Sequence, residues 1–430
     1  MPDPRTFVII GASLAGAKAA ETLRDEGFDG RIVMIGEESE RPYERPPLSK
    51  GYLHGKDARD GAYVHNESWY ADHDVELRLG VRATGLDPAA HTVTLDGSER
   101  LTYDKLLLAT GSRPRRLSTE GTDLDGVCYL RTLPDADALL HRLRGGTARR
   151  VVVVGAGWIG LETAAAARSF GADVTVVEMD VLPLRRVLGD DVASIFADVH
   201  RAHDVTFHFG TGVSGFVGSA GKLEAVVLSN GVQVPADMAI VGVGIEPVTD
   251  LAVSAGLTVD NGVVTDASLR TSDPDVYAAG DVASFHSPML GGRIRVEHWG
   301  NALDGGPAAA RAMLGSADPY DKVPYFFSDQ YEDAPSIGME YAGWVDRGGY
   351  ERMVYRGDPT IRADATPEFI AFWVSDGRVL AGMNVNVWDV QDDIQALVRA
   401  GHAGKRVDLD RLADESVPLA DVVADVSATA

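Results

Sequence analysis

The sequence predicts an α/β fold: two parallel βαβ units built on one plan, followed by a C-terminal α+β domain. Three features carry that prediction. Residues Arg5–Glu38 and Arg149–Asp180 each run through a short apolar stretch, a glycine-rich turn, an Ala-rich helical stretch, a glycine stop and a second apolar stretch ending at an acid. Two further segments, Asp104–Arg115 and Thr271–Ser284, each end an apolar run at a glycine. Near the C-terminus, FIAFWVSDGRVLAGMNVNV (Phe369–Val387) has the alternation and the central Asp376-Gly377 pair of a β-hairpin.

In the first unit the expected strand is Phe7–Ile10, and the turn is Gly11-Ala12-Ser13-Leu14-Ala15-Gly16. A helix follows, punctuated by Gly27 and Gly30, then a strand Arg31–Ile35 that closes near Glu37. In the second unit the strand is Val151–Val154 and the turn is Gly155-Ala156-Gly157-Trp158-Ile159-Gly160. The helix is Leu161–Phe170, Gly171 stops it, and Val174–Val177 leads to Glu178. A leading glycine permits a tight strand-to-helix turn. A small middle residue lets backbone N–H groups approach a pyrophosphate, and the helix N-terminus places partial positive charge there. The acid at the end of the second strand accepts hydrogen bonds from ribose hydroxyls. One such motif is weak evidence; two, each between a strand and a helix, predict two Rossmann-like dinucleotide-binding domains. The first copy departs from the pattern at Ser13, whose small side chain can itself bond a phosphate oxygen.

Composition sets the limits. A chain of 430 residues exceeds one ordinary core, so two or three domains are expected. No run of about eighteen apolar residues indicates a membrane span. The start, MPDPRTFVIIGAS, reads as a first strand and not as a signal peptide, which makes a cytoplasmic location the default. A formal net charge of −24 argues against nucleic acid as a partner. The single cysteine, Cys128, excludes an intrachain disulfide, a CxxC redox pair and a cysteine-held cluster, and reads as a buried small residue. His200 and His203 fit one face of a solvated helix better than a metal site, and no metal is expected. The segment Asp304–Gly315 reads as an Ala-rich helix, and the acidic tail ADESVPLADVVADVSATA is expected to fray.

One stretch, RPYERPPLSKGYL (Arg41–Leu53), is too proline-rich for a plain helix or strand. Together with the two glycine turns, the ATG of Ala109-Thr110-Gly111, the YAAGD ending at Asp281, LRTLPDA (Leu130–Ala136) and VEHWGNA (Val296–Ala302), it resembles the FAD- and NAD(P)-dependent pyridine nucleotide oxidoreductases, and among them the NADH-dependent ferredoxin reductases of cytochrome P450 and Rieske-type oxygenase systems. The resemblance covers residues 5 to about 400.

It implies an FAD domain from residues 1–115 and 247–327, an NAD domain from 116–246 and a C-terminal interface domain from 328–430. It assigns FAD to Gly11, Ser13, Leu14, Ala15, Gly16, Glu37, Arg45, Lys50, Arg82, Ala109, Thr110, Gly111, Arg131, Asp281 and Trp299. It assigns NAD to Gly155, Gly157, Trp158, Ile159, Gly160, Glu178, Arg185, Gly244 and Glu297. Lys50, paired with Glu162, stands beside the flavin ring, where an ammonium favours negative charge on the reduced cofactor. Trp299 lies against that ring, and Asp281 bonds the ribityl hydroxyls. The implied reaction passes hydride from NADH to FAD N5 and then single electrons to a transient partner, a [2Fe-2S] ferredoxin. Relatives that use a redox cysteine carry it in the Ser49-Lys50 region, where this chain has none. Glu178 favours NADH over a 2′-phosphorylated cofactor, although Arg185 and Arg186 follow closely. Arg311, Lys405 and Arg406 are candidate docking cations for an acidic ferredoxin. The rival readings are a rubredoxin reductase, a monodehydroascorbate reductase or an NADH oxidase; a DNA-binding relative of apoptosis-inducing factor fits the charge poorly.

Overall fold

A run such as Arg150–Val154, four valines behind one arginine, has no polar face. It must therefore be a strand covered on both sides, which is the situation of a parallel sheet flanked by helices. The computed structural model describes residues 5–346, 348–362 and 364–428; Met1–Pro4 at the expected start and Thr429–Ala430 of the tail lie outside the described residues. The chain forms two compact units, residues 1–44, 59–113 and 246–325 in one, and 45–58, 114–245 and 326–430 in the other.

The first unit holds a five-stranded parallel sheet in the order Val276–Ala278, Lys105–Leu108, Thr6–Ile10, Arg31–Gly36, Val75–Leu79. Its core is Val8, Ile10, Val33, Ile35, Leu106, Leu108, Val276 and Ala278, all buried. Helix Leu14–Asp25 packs against helix Trp299–Met313. The two approach so closely that a Cβ on Gly306 would lie 2.3 Å from the Ala15 carbonyl oxygen. The Ala-rich helix expected from Asp304 starts earlier, at Trp299, with His298 as its N-cap.

The second unit holds a parallel sheet in the order Thr206–Phe209, Asp173–Glu178, Arg150–Val154, Met238–Val241, Val127–Cys128. Taken by role, both sheets run third, second, first, fourth: the doubly wound order. The same unit contains a five-stranded sheet ordered Tyr325–Gln330, Ile337–Gly343, Arg378–Val385, Glu368–Ser375, Arg352–Asp358, with antiparallel pairing through its last four strands. The expected hairpin is there, and Asp376 and Gly377 both take positive φ, 50° and 70°, as a tight Asp-Gly turn requires. One core runs from Val151, Leu161 and Phe196 through Phe326 to Phe369, Trp373 and Met383, and the Trp373 indole donates to the Leu188 carbonyl at 3.1 Å.

Two expectations are corrected. The acidic tail does not fray within the described residues; it forms helix Leu419–Ala428, because Leu419, Val422 and Val426 fall on one face and are buried, while Asp425 meets Arg411 at 3.0 Å. His200 is not on a solvated face: it is fully buried on helix Arg185–Ala202, and burial pushes its imidazole down to about 4.

Candidate functional site

The first glycine turn begins where strand Thr6–Ile10 ends. Gly11 has φ +121°, and a Cβ there would sit 2.0 Å from the Ala109 carbonyl oxygen. Ala109 follows strand Lys105–Leu108, the neighbour at which the strand order reverses, so the turn opens at the topological switch point. A Cβ on Gly16 would lie 2.1 Å from the Gly11 carbonyl. Helix Leu14–Asp25 has no side-chain cap on Ser13 and no acid in its first turn, which leaves its N-terminal dipole end for an anion. Glu37 follows strand Arg31–Gly36 and is largely exposed, with the Arg82 guanidinium 3.9 Å away.

Other expected flavin residues gather in the same unit. Thr110 donates its hydroxyl to the Val248 carbonyl at 2.7 Å, and Gly111 turns with φ +65°. Asp281, in the short turn Gly280–Val282, accepts from Ser112 Oγ at 2.6 Å. Trp299, at the first turn of its helix, donates Nε1–H to Glu44 Oε2 at 2.9 Å. Glu297 belongs to this unit and pairs with Arg295 at 2.5 Å.

The second glycine turn repeats the first. Gly155 has φ +98°, and its Cβ would meet the Gly242 carbonyl at 2.4 Å, just past strand Met238–Val241, again at the reversal of strand order. A Cβ on Gly160 would meet the Gly155 carbonyl at 2.0 Å. Gly157 differs. It caps helix Trp158–Ser169 with φ −80°, and a Cβ there would touch nothing within 4 Å. Open space above an uncapped helix start is a cradle that a pyrophosphate fits and a side chain would fill. Ile159 is exposed beside it, and the Trp158 ring lies 4.8 Å from that of Phe326. Gly244 turns with φ +95°. Glu178 ends its strand and is fixed at both oxygens, accepting from the Ala156 N–H at 2.7 Å and the Asp180 N–H at 2.8 Å. Arg185 is held by Asp180 at 3.1 Å and Asp190 at 2.5 Å, so its guanidinium is already engaged with two carboxylates.

The proline-framed stretch contributes Arg45–Ala58 to the second unit. Pro46–Ser49 makes a single 3₁₀ turn, which Lys50 closes. Lys50 Nζ donates to Glu162 Oε1 at 2.8 Å, and Glu162 is only 2% exposed. Ser49 Oγ and Ser328 Oγ donate to the same carboxylate at 2.5 and 2.7 Å. A buried carboxylate held by an ammonium and two hydroxyls is a fixed ion pair, not a surface contact. The Lys50 ammonium also lies 5.1 Å from the centre of the Phe327 ring. Arg45 donates to the Arg131 carbonyl, which brings those two expected residues together.

The chain matches the family model of pyridine nucleotide-disulphide oxidoreductases over residues 5–306. It belongs to that family. A reductase C-terminal model matches residues 325–423 of this oxidoreductase. The ferredoxin–NAD(+) reductase component of the anthranilate 1,2-dioxygenase system of Burkholderia cepacia is 41% identical over 97% of this chain and 98% of its own. The rubredoxin–NAD(+) reductase of Pseudomonas putida is 38% identical over 81% of this chain and 88% of its own. A crystal structure of a covalent putidaredoxin reductase–putidaredoxin complex superposes with TM-score 0.91 at 36% identity, over 99% of this chain and 100% of the other.

This oxidoreductase of the disulphide family has no disulfide to use. Cys128 is a free cysteine in a two-residue strand, and burial pushes its thiol up, away from the reactive thiolate. Sequence reasoning missed Ser328, Glu44 and Ser112 as partners of Glu162, Trp299 and Asp281. Only Ser49, adjacent to Lys50, carried any local signal. The docking candidates are not bare cations: Arg311 pairs with Glu26 at 3.0 Å and Arg406 with Asp376 at 2.5 Å.

Proposed function

We propose that the chain is an FAD-containing NADH:ferredoxin reductase, which carries out NADH + 2 oxidised ferredoxin → NAD⁺ + H⁺ + 2 reduced ferredoxin for an oxygenase. The observation that carries the reading is the pair of glycine turns at two switch points, in a chain whose only cysteine is a half-buried thiol with its acidity lowered by burial. Electrons that enter as a pair need a two-electron carrier, and they do not leave through a protein dithiol.

The first unit takes FAD. Gly11, Ser13, Leu14, Ala15 and Gly16 seat the pyrophosphate, Glu37 with Arg82 the ribose, Thr110 and Gly111 the edge of the site, and Asp281 the ribityl chain. Trp299, its indole N–H anchored on Glu44, presents a flat apolar face to the ring. Bound FAD supplies the exchange of two electrons for two single ones. NADH takes the second turn, with its pyrophosphate above Gly157 and its ribose on Glu178. The two backbone N–H groups that orient Glu178 leave it a fixed negative acceptor, which repels a 2′-phosphate, and Arg185 is committed to Asp180 and Asp190. Lys50, held by Glu162, offsets the charge of reduced flavin. Arg45 and Arg131 contact FAD phosphates or the ring edge. The 328–430 domain faces the iron–sulfur partner. No helix among the described residues is long and apolar enough to cross a membrane, and we place the reaction in the cytoplasm.

The test is anaerobic. Rapid mixing with NADH should bleach a bound flavin, NADPH should do so far more slowly, and reduction of cytochrome c should depend on added [2Fe-2S] ferredoxin. Bleaching followed by rapid reoxidation in air, with no effect of ferredoxin, would replace this reading with an NADH oxidase. Equal turnover with rubredoxin alone would move the partner to rubredoxin.

A further inference from the structure

Behind the Lys50–Glu162 pair runs a chain of buried polar side chains. Ser328 Oγ lies 2.7 Å from Glu162 Oε1, Gln330 Nε2 lies 3.1 Å from Ser328 Oγ, His200 Nε2 lies 2.8 Å from Gln330 Oε1, and Tyr331 OH lies 2.7 Å from His200 Nδ1. Glu162, Ser328, Gln330 and His200 are each no more than 2% exposed. They come from three places: helix Trp158–Ser169, strand Tyr325–Gln330 with the residue after it, and helix Arg185–Ala202. Strand alternation turns Ser328 and Gln330 to one side.

The donors and acceptors in this chain can run only one way. An ionised carboxylate accepts and never donates, so the single Ser328 proton points at Glu162. Ser328 can then only accept from Gln330, which must present its NH₂. The Gln330 carbonyl therefore faces His200, which must carry its proton on Nε2. That leaves His200 Nδ1 as an acceptor, and Tyr331 donates to it. The arrangement needs a neutral imidazole, which full burial enforces. Tyr331 is in turn fixed by the His203 ring, stacked at 3.6 Å and 7° and itself tied to the Pro335 carbonyl at 3.0 Å.

We propose that Tyr331, His200, Gln330 and Ser328 are positioning residues: a one-way hydrogen-bond chain that keeps the Glu162 carboxylate aimed, and so holds the Lys50 ammonium in place for the flavin. This rests on the reading that Lys50 acts on FAD. Glu162 has three donors, and the chain guarantees that one of the two hydroxyls stays turned toward it. Without that guarantee Ser328 is free to donate elsewhere, and a buried carboxylate short of a donor no longer holds one orientation toward the ammonium. The other titratable groups acting on this cluster are His54 and Asp329 near Glu162, Glu340 near Asp329, His203 beside His200 and Arg168 near Tyr331.

The test uses the flavin-loaded full chain. Histidine ¹⁵N spectra at pH 7 should show His200 neutral with its proton on Nε2; a proton on Nδ1 would overturn the chain's direction. Gln330→Leu should slow flavin bleaching by saturating NADH about tenfold with KM changed less than about twofold. Its flavin absorption should shift from that of the parent, and Glu162→Gln should give the same shift without Gln330→Leu adding to it. Tyr331→Phe, which removes one hydroxyl and keeps the ring stack, should move the same readouts in the same direction by about two- to threefold. Variants that lose thermal stability alone, with unchanged rate and flavin spectrum, would overturn the proposal. A Lys50→Met variant with unchanged flavin spectrum, potential and NADH rate would instead remove the reading beneath it, whatever the Gln330 variant does.

Discussion

At the three glycine positions of the motif the two turns agree at the outer two and differ at the middle one, and the structure explains why. At the outer positions the protein's own backbone demands glycine: Gly11 and Gly155 face the carbonyls of Ala109 and Gly242, and Gly16 and Gly160 face those of Gly11 and Gly155. At the middle position no such demand exists. Ser13 has an ordinary extended backbone, with φ −134°, and Gly157 has φ −80° with open space around a Cβ. Outer glycines are therefore set by the fold and the middle one by whatever docks there. The acids differ as well. Glu37 is mostly exposed, with one cation at 3.9 Å, whereas Glu178 is locked by two backbone N–H groups.

The comparison can be broken by mutation. The largest effect should come from Gly11→Ala or Gly155→Ala. Each puts a methyl group against a backbone carbonyl at positive φ, and each should cost roughly 2–4 kcal/mol or prevent folding, read by thermal and urea melts. If either variant melts like the parent, steric demand is not what fixes the outer glycines.

Acid should weaken both units. Burial lowers His298 of the first unit to about 4, and in the second unit His200 is fully buried. Its imidazole is lowered from 6.5 to about 4, so below about pH 6.5 the unfolded chain binds the proton first. Its stabilising contribution is complete above pH 6.5 and is lost as pH falls toward 4, at most about 3 kcal/mol. Hydrogen exchange at pH 7 and pH 5 should show protection of helix Arg185–Ala202 falling with pH, and His200→Phe should remove that fall.

A smaller effect separates the acids. Glu178→Gln removes charge from two hydrogen bonds and should cost about 1–2 kcal/mol in a denaturant melt. Glu37→Gln should stay within about 0.5 kcal/mol. Equal costs would mean that the backbone contacts of Glu178 do not hold it.

The same contrast explains what the sequence disclosed. Glycine periodicity and valine runs reveal both sheets, because buried parallel strands leave few alternatives for residues such as Val151–Val154. Asp376-Gly377 marked a hairpin for a similarly local reason. Long-range pairing left no local trace. Nothing near Ser328 indicates that it donates to Glu162, 166 residues away in the chain, and nothing in His200 or His203 shows which of the two is buried. The tail misled because its small residues and acids suggest fraying, while Leu419, Val422 and Val426 at helical spacing had a surface to cover. Lys50 and Glu162 were joined by resemblance; the distance of 2.8 Å now joins them physically.

The most direct test of the account is a crossed binding measurement. Gly157→Leu and Ser13→Leu place the same side chain in the two middle positions, the first with open space around a Cβ and the second on an ordinary extended backbone. Flavin content and anaerobic NADH affinity should be measured on both, with melting curves as the control. The account predicts that Gly157→Leu keeps its flavin and loses NADH affinity by about a hundredfold, roughly 2.7 kcal/mol, while Ser13→Leu is purified with little flavin. Loss of flavin from the Gly157 variant, or NADH affinity unchanged in it, would contradict the assignment of the two turns.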